Sequence, residues 1–326
     1  MVRARNLVQF ATLLVLLYTG WKFFWFVRHF ETGGASPFVA RPALVEGFLP
    51  ISALVALKNW IGNGVFDTIH PAGLVIFLAV LTTTVLLKKG FCSWFCPGGV
   101  LSERLGDLGR KLLGKNLTLP KPLDWALMAP KYLVLYFFAK SILIDMDMAG
   151  IAAFIDAPYN RVVDVKMLYF FTEMTVGLAA FIAAIMLLSA LISNFWCRYL
   201  CPYGALLGLL SVVSPLRIVR DPDVCIDCQL CTRACPNRIG VATGAEVNSV
   251  ECTSCLNCIN VCPKPAALGL KVVGVKDYVS VWAYPALLLG IVILFFLAAI
   301  ATGHWQTSVT YDDYMSLIPQ AWWFGH

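Results

Sequence analysis

The chain has 326 residues, of which 59% are hydrophobic and 13% charged, and its formal net charge is +6. A mean hydropathy of +0.76 excludes an ordinary soluble globular protein of this length and predicts an all-α polytopic membrane protein. No basic stripe with interleaved aromatic residues points to nucleic acid as a partner.

Five segments approach the roughly 20 apolar residues that are needed to cross a bilayer core of about 30 Å. These are residues 7–27, 71–91, 125–145, 174–196 and 279–301. The first follows the basic sequence "MVRAR", as a secretory signal would, but it is long, contains aromatic residues and lacks a small-residue cleavage site. We therefore expect a retained first helix.

The distribution of lysine and arginine predicts the orientation of these spans. If the N-terminus lies inside, the inner segments carry 17 basic residues and the outer segments carry five. Leaving out the long stretch 196–278, which counts little under this rule, gives 9 against 5. We expect a multi-pass protein of the bacterial inner membrane with its C-terminal tail outside.

The first outer loop, residues 28–70, contains the apolar stretch "EGFLPISALVALKNWIGNGVFDTIHPAG". It predicts a short helix at or in the outer surface, before His70. The side chains of His29, His70 and His304 all lie at predicted outer ends of spans, where they could hold a haem or line a quinone pocket. The alternative is that each one hydrogen-bonds to backbone or to lipid headgroups.

Two cysteine arms follow the second and fourth spans. The sequences "FCSWFCPGGVLSE" and "FWCRYLCPYGALLG" each contain C-x3-C-P, and they repeat at an offset of 105 residues. Residues i and i+4 lie on one face of a helix, so each arm can direct two thiolates at one point. Together they suit one [4Fe–4S] cluster, whereas a structural zinc ion or unligated, packed cysteines are the alternatives. The predicted ligands are Cys92, Cys96, Cys197 and Cys201.

After the first arm, "VLSERLGDLGRKLLG" has leucines at helical spacing with charges between them. It predicts an amphipathic helix that lies on the cytoplasmic membrane surface or buries its leucine stripe. The third span contains Lys131 and Lys140, and a charged side chain inside a bilayer costs free energy. We therefore expect both side chains to snorkel to the interface. If Lys131 faced the arms instead, its charge would raise the potential of the cluster there.

Between the fourth and fifth spans stand "CIDCQLCTRACP" and "CTSCLNCINVCP", each a C-x2-C-x2-C-x3-C-P motif. Three thiolates of such a motif bind one cubane and the fourth binds the other cluster. Two zinc knuckles are the alternative, but four cysteines within eleven residues, twice over, favour clusters. The first predicted cluster has Cys225, Cys228, Cys231 and Cys262 as ligands, and the second has Cys252, Cys255, Cys258 and Cys235.

All twelve cysteines therefore belong to a cluster motif on the side that is predicted to be cytoplasmic. Thiols stay reduced there, so disulfides are not expected. The uncharged fifth span leads to the tail "TGHWQTSVTYDDYMSLIPQAWWFGH". Its residues Trp305, Trp322 and Trp323 predict an interfacial aromatic belt, or else a docking surface for a neighbouring subunit.

The arms and the cysteine block together resemble the NapH-type family of membrane polyferredoxins over residues 70–275, and the block alone resembles bacterial two-cluster ferredoxins over residues 215–275. This resemblance implies quinol oxidation and electron delivery to periplasmic reductases, such as periplasmic nitrate reductase. Related architectures occur in a regulator of nitrous-oxide respiration and in a copper-handling assembly factor for cytochrome oxidase. The fifth span and the outer tail depart from the simplest family pattern.

We predict a membrane domain with four helices and both arms at residues 1–214, a small α+β two-cluster ferredoxin-like domain at 215–275, and a fifth span with its tail at 276–326. The expected function is an electron-transfer subunit of a respiratory complex rather than a complete enzyme, although a quinol dehydrogenase component is an option. It would relay electrons through three [4Fe–4S] clusters between the quinone pool and another subunit, or a periplasmic or cytoplasmic oxidoreductase. The alternative is an iron–sulfur assembly or regulatory protein, such as a metal-ion reductase for oxidase maturation.

Overall fold

The computed structural model describes residues 2–264, 266–275 and 277–324. Helices account for most of these residues. The helices are α1 (Val2–Glu31), α2 (Pro50–Asn63), α3 (Pro71–Leu87), α4 (Phe91–Trp94), α5 (Pro97–Leu113), α6 (Lys121–Ala139), α7 (Met148–Asp156), α8 (Pro158–Arg161), α9 (Val163–Thr172), α10 (Val176–Leu191), α11 (Pro202–Leu210), α12 (Leu230–Arg233), α13 (Asn257–Asn260), α14 (Ala283–Ala301) and α15 (Tyr311–Leu317). The strands are β1 (Leu216–Arg220), β2 (Glu246–Val247), β3 (Leu268–Val272) and β4 (Tyr278–Val279).

Within the described residues, three helical segments are long and apolar enough to cross a membrane: Arg3–Glu31, Lys121–Asp145 and Ala283–Ala301. Helices α9 and α10, bent by 82° at their junction, make a fourth span if they cross as one. Helix α3 has 17 residues. At 1.5 Å per residue it rises about 26 Å, short of a hydrocarbon core of about 30 Å. The chain is therefore a membrane protein with three or four candidate spans, and the count of five stays a prediction.

The chain divides into two compact units. The described residues of Met1–Thr12, Val80–Leu135 and Ala180–Val292 form one of them, which contains every cysteine and is called the cysteine unit below. Those of Leu13–Ala79, Tyr136–Ala179 and Ile293–His326 form the other, called the second unit. The predicted domain boundaries at 214 and 275 both fall inside the cysteine unit, and they stay predictions.

The cysteine unit contains an antiparallel sheet with the strand order β2-β1-β3-β4. Strands β1 and β3 pair from Leu216 opposite Val272 to Arg220 opposite Leu268. Alternate side chains of a strand point to one face. Leu216 and Ile218 accordingly point into a buried core with Leu268 of β3. The first cysteine motif begins after β1, and the second follows β2.

Helix α2 confirms the short apolar helix expected in the first outer loop. It packs in the second unit against α7, where Val55, Ile142 and Ile151 form a buried cluster. A second core of this unit is aromatic, with Phe26 and Phe30 of α1 packed edge-on or tilted against Tyr314 of α15.

Helix α5 does not bury its leucine stripe in the protein. Leu101, Leu108 and Leu112 are 49%, 50% and 75% exposed. The face that packs on the protein has glycine at position 109 instead. An added Cβ at Gly109 would lie 1.8 Å from the carbonyl oxygen of Ala190. Glycine thus lets α5 pack close to the end of α10 and leaves these leucines exposed. That they lie on a membrane surface stays a prediction.

Candidate functional site

The two motifs of the cysteine block have the same backbone conformation. In each loop the residues on both sides of the second cysteine have positive φ angles, although neither is glycine. The four residues are Asp227 (49°), Gln229 (58°), Ser254 (46°) and Leu256 (61°). Positive φ is uncommon for such residues, so its recurrence at an offset of 27 residues marks two equivalent tight turns. The short helices α12 and α13 follow directly and carry the third cysteine of each motif.

Two cavities gather these cysteines in sets of four. One cavity is lined by Cys225, Cys228, Cys231 and Cys262. The other is lined by Cys252, Cys255, Cys258 and Cys235. Each set takes three thiols from one motif and the fourth from the other, which is the division that the motif spacing predicts.

The two cavities differ in their surroundings. At the first, the guanidinium of Arg220 lies 3.4 Å from the sulfur of Cys225 and 2.8 Å from a carboxylate oxygen of Asp227. At the second, burial raises the pKa of Cys255 to about 12, although the nearby charge of Arg5 lowers it. Iron binds the thiolate, so loading the second set must release protons from buried thiols.

The i, i+4 argument assumed that each membrane arm is one continuous helix. The structure shows that neither arm is. Cys92 lies in α4, while Cys197 lies in a π-helical turn, Trp196–Leu200. Cys96 and Cys201 are extended, with ψ angles of 121° and 107°, and each one precedes a proline that starts the next helix. The proline ring clashes with a helical conformation of the residue before it, and its fixed φ suits the first helical position.

Because the helix breaks before Pro97 and Pro202, the N-termini of α5 and α11 point at the arm thiols. The N–H of Gly204 donates to the sulfur of Cys201 at 3.2 Å. Burial raises the pKa of Cys96 to about 11, against backbone hydrogen bonds from Gly99 and Gly98 that lower it. Gly99 is required by a close approach, because a Cβ there would lie 1.9 Å from the carbonyl oxygen of Cys92. Positive helix ends favour an anionic group at this position.

The four arm thiols lie close together. Burial raises the pKa of Cys197, and the charges of Cys96, Cys201 and Cys92 raise it further. Burial likewise raises the pKa of Cys92, where Lys89 acts in the opposite direction. Such mutual effects act between side chains that lie near one another.

Within the described part of the chain, no three His, Cys, Asp or Glu side chains converge as ligands of a single metal ion. A cubane does not require such convergence, because each thiolate binds a different iron. Spread sets of four thiols are therefore compatible with clusters.

Both arms are fastened beside the second set of four cysteines, which takes Cys235 from the first motif and the other three from the second. Ser93 donates to the carbonyl of Thr253 at 2.8 Å, and the indole of Trp94 donates to that of Ser254 at 3.2 Å. From the other arm, Arg198 donates to the carbonyl of Asn237, two residues after Cys235, at 2.5 Å. The four arm thiols, called the membrane-edge set below, thus adjoin the set that contains Cys252 rather than the set that contains Cys225.

Buried charges surround this junction, and sequence reasoning missed most of them. Lys131 is fully buried and pairs with Glu251 at 2.6 Å, so the expectation that it snorkels is wrong. Lys89 lies 3.8 Å from the same carboxylate. Lys140, by contrast, is exposed and pairs with Asp145. Lys131 and Glu251 are 120 residues apart in the sequence, so no local pattern could have paired them.

The three singled-out histidines contact protein groups of the second unit. The ring nitrogens of His29 lie 2.5 Å from the carbonyl of Ser36 and 2.8 Å from the hydroxyl of Tyr311. The ring of His304 packs edge-on against Phe66 at 4.4 Å. The contacts of His29 fit the hydrogen-bonding alternative better than a haem-ligand role.

His70 belongs to a buried ionic cluster that the sequence did not reveal. Its Nε2 atom lies 2.6 Å from the carbonyl of Asn160, and its Nδ1 atom lies 3.6 Å from Glu46. Arg41 joins the cluster through Glu46 and Asp164, each at 2.6 Å. The cluster ties the first outer loop to the segment around α8 and α9.

Comparisons with known proteins agree with this geometry. A family model described as "4Fe-4S binding domain" matches residues 69–116 and 174–219, two stretches that contain the two arms. A model described as "4Fe-4S dicluster domain" matches residues 217–263. The chain is thus an iron–sulfur protein.

Several curated proteins are similar to the chain. "Putative electron transport protein YccM" of Escherichia coli (strain K12) is 40% identical over 327 residues, covering 99% of this chain and 91% of that protein. "Ferredoxin-type protein NapH" of the same organism is 25% identical over 59% of this chain and 66% of its own length. "Protein NirI" of Paracoccus denitrificans (strain Pd 1222) is 28% identical over 66% of this chain and 31% of its own length. No solved structure matches the chain.

Proposed function

The chain belongs to the NapH-like family of membrane polyferredoxins, and from that premise we propose that it relays electrons between the quinone pool and a partner oxidoreductase of a respiratory system. It is an iron–sulfur electron-transport protein with membrane-spanning helices. The quinone and the respiratory partner are the proposed additions.

The proposal assigns three sets of ligands. The four arm thiols would hold one cluster, and each cavity of the cysteine block would hold another, with the ligand sets that the spacing predicts. [4Fe–4S] clusters, when bound, supply one-electron transfer at potentials that the protein tunes. The observation that supports a relay most strongly is the fastening of Ser93 and Trp94 to the motif of Cys252, because it makes neighbours of the membrane-edge set and the second set.

The chain's own residues would prepare these sites. The N-termini of α5 and α11 direct backbone N–H groups at the arm thiols, and the charge of Lys89 opposes the negative charge that four thiolates bring. Glu251 holds Lys89 and Lys131 in place. Burial of Cys252 and Cys258 keeps water from the second set. The cysteines of the first set are all half-buried, and the exposed Asp227 lies beside them, which suits exchange with a soluble partner.

We further propose the predicted orientation in the bacterial inner membrane, with the two-cluster ferredoxin-like domain of residues 215–275 on the cytoplasmic side and the C-terminal tail outside. The excess of basic residues in the inner segments supports it. A partner subunit or a periplasmic or cytoplasmic oxidoreductase would then complete the electron path.

Anaerobic reduction tests the proposal. Purified, cluster-loaded protein is mixed with menaquinol or ubiquinol, and reduced clusters are counted by electron paramagnetic resonance. We expect signals from at least the membrane-edge set, and a control with dithionite gives the full signal. Clusters that stay oxidised with both quinols, yet are reduced by dithionite, would move quinol chemistry to another subunit.

A redox regulatory or assembly role is the second candidate. It is supported by similarity to "Regulatory protein NosR" of Pseudomonas aeruginosa, 29% identical over 57% of this chain and 26% of that protein. The two functions differ in partners, because a respiratory subunit should copurify with a stoichiometric oxidoreductase from native membranes. A protein that acts in regulation or assembly should be recovered without one.

A further inference from the structure

We propose that an open cleft in the cysteine unit binds the headgroup of a quinone. This inference rests on the proposed function and deepens it, because it names the residues that bind the membrane-soluble substrate. The cleft has a volume of about 540 Å³, within the range of about 300–1,000 Å³ that is typical of small-molecule sites.

One wall of the cleft is a face of α6. Trp125, Met128, Ala129 and Tyr132 line it, at the i, i+3, i+4 and i+7 positions that share one side of a helix. Helix α6 belongs to a candidate membrane span, and 11% of its most apolar window is buried in the protein. A ligand that is dissolved in the bilayer can therefore reach this wall along the helix, whereas a water-soluble ligand would meet an aromatic and apolar surface.

The opposite wall adjoins the cysteine sites. Two of its residues, Arg198 and Glu251, are direct chain neighbours of Cys197 and Cys252. Consecutive Cα atoms are 3.80 Å apart. A headgroup in the cleft would thus contact residues that directly adjoin ligands of two proposed clusters in the chain, a position suited to electron exchange.

Two of the charged side chains that line the cleft are already paired within the protein. Arg198 is paired with Asp124 at 2.5 Å, and Glu251 is paired with Lys131 at 2.6 Å. Arg238 also lines the cleft, where it has no ion-pair partner among the described residues. Its Nη1 atom is buried without a hydrogen bond and can donate to a quinone carbonyl. The hydroxyl of Tyr132 makes no hydrogen bond within the described residues, and it can donate to a quinone carbonyl while Trp125 packs against the ring.

Binding of 2-heptyl-4-hydroxyquinoline N-oxide, a fluorescent quinol analogue, tests this site. The protein is cluster-loaded and reconstituted in phosphatidylcholine nanodiscs, and the dissociation constant is read from fluorescence quenching. Ala129→Trp fills the cleft, and we expect it to raise the dissociation constant more than tenfold. The matched control is Ala126→Trp, one turn away on α6 and outside the cleft lining, which should bind like the unmodified protein.

A milder pair of substitutions separates the contribution of hydrogen bonding to analogue binding from that of cleft shape. Tyr132→Phe removes the free hydroxyl and should raise the dissociation constant about three- to tenfold, the effect of one hydrogen bond. Tyr136→Phe, at an exposed position one turn further along, should change nothing. Unaltered cluster signals in all four variants would exclude unfolding as the cause.

Three outcomes would overturn the inference. If Ala129→Trp binds the analogue normally and menaquinol still reduces its clusters, the quinone binds elsewhere and only the location is wrong. If the unmodified protein neither binds the analogue nor is reduced by quinols, the proposed function fails as well. If a third of phosphatidylglycerol in the nanodisc weakens analogue binding to the unmodified protein, the cleft is a lipid-headgroup site instead.

Discussion

Lys131 and Glu251 form a buried ion pair with 2.6 Å between Nζ and Oε1, and this pair connects a candidate membrane span to the residue before Cys252. Removing one member of such a pair leaves an uncompensated buried charge, which typically costs about 3–5 kcal/mol. We therefore expect Lys131→Met to lower the midpoint of thermal unfolding of the loaded protein markedly.

The control for this variant lies on the same helical segment. Lys140 pairs with Asp145, but the side chains are 45% and 49% exposed. Exposed pairs contribute about 0–1 kcal/mol, so Lys140→Met should leave the unfolding midpoint nearly unchanged. Equal effects of the two substitutions would contradict the role assigned to the Lys131–Glu251 pair.

Lys89 is expected to set the potential of the membrane-edge cluster. It is buried, and its charge acts on Cys92 more strongly than any other nearby charge does. A positive charge favours the reduced cluster, which carries one more electron. Lys89→Met should lower the midpoint potential on the order of 60 mV, a tenfold change in a one-electron equilibrium, in redox titrations followed by electron paramagnetic resonance. An unshifted membrane-edge signal would show that Lys89 does not tune it.

Gly99 is expected to be essential for the first arm. A Cβ at this position would lie 1.9 Å from the carbonyl oxygen of Cys92, so Gly99→Ala must displace the arm. Bound iron should fall by about four per chain, the content of one [4Fe–4S] cluster.

Its neighbour provides the control. At Gly98 the nearest atom to an added Cβ is 3.8 Å away, an ordinary contact, so Gly98→Ala should retain all of its iron. Loss of iron in both variants would mean that helix α5 tolerates no change at its start, and the close approach of Gly99 would not be the cause.

His70 should make the stability of the second unit depend on pH. Burial alone would lower its pKa, but the hydrogen bond and the charge of Glu46, with Asp164 in addition, raise it above the usual 6.5 despite Arg41. A raised histidine pKa stabilises the fold fully below about pH 6.5, and this contribution is lost as the pH rises through the folded-state value. Asp67 also faces His70, and its own pKa is raised by burial.

The corresponding measurement is the midpoint of thermal unfolding between pH 6 and 9. It should fall as the pH rises, and the fall should be smaller in His70→Gln, which cannot titrate. His304→Gln, whose ring packs on Phe66 outside the ionic cluster, should retain the full slope. A slope that is the same in His70→Gln as in the unmodified protein would assign the dependence to another group.

Regular spacing carried most of what the sequence could predict. The two cysteine motifs predict two ligand sets, because each motif is local and its repeat is visible. Each of two cavities is lined by the thiols of one such set, and their role as cluster ligands stays a prediction. The arms were predicted as a pair, but their shape was not, since Pro97 and Pro202 break the helix that the i, i+4 argument assumed. The five predicted spans exceed the three or four candidates, because α3 is short and α9 and α10 bend.

Contacts between segments that are distant in the chain could not be predicted from the sequence. Glu46 and Asp164 meet at Arg41, and Lys131 meets Glu251, through the tertiary fold and without any shared periodicity. The exposed leucines of α5 were ambiguous for a related reason. Amphipathicity identifies an apolar stripe but not what covers it, and glycines at Gly106 and Gly109 decided which face packs on the protein.

The central claim is that the four arm cysteines hold a third cluster, and iron counted per chain tests it most directly. Anaerobically purified protein is assayed for iron and acid-labile sulfide beside the variant Cys92→Ser. Three [4Fe–4S] clusters predict about twelve irons and twelve sulfides in the unmodified protein and about eight of each in the variant. About eight irons in both proteins would contradict the claim, because the arms would then carry no cluster.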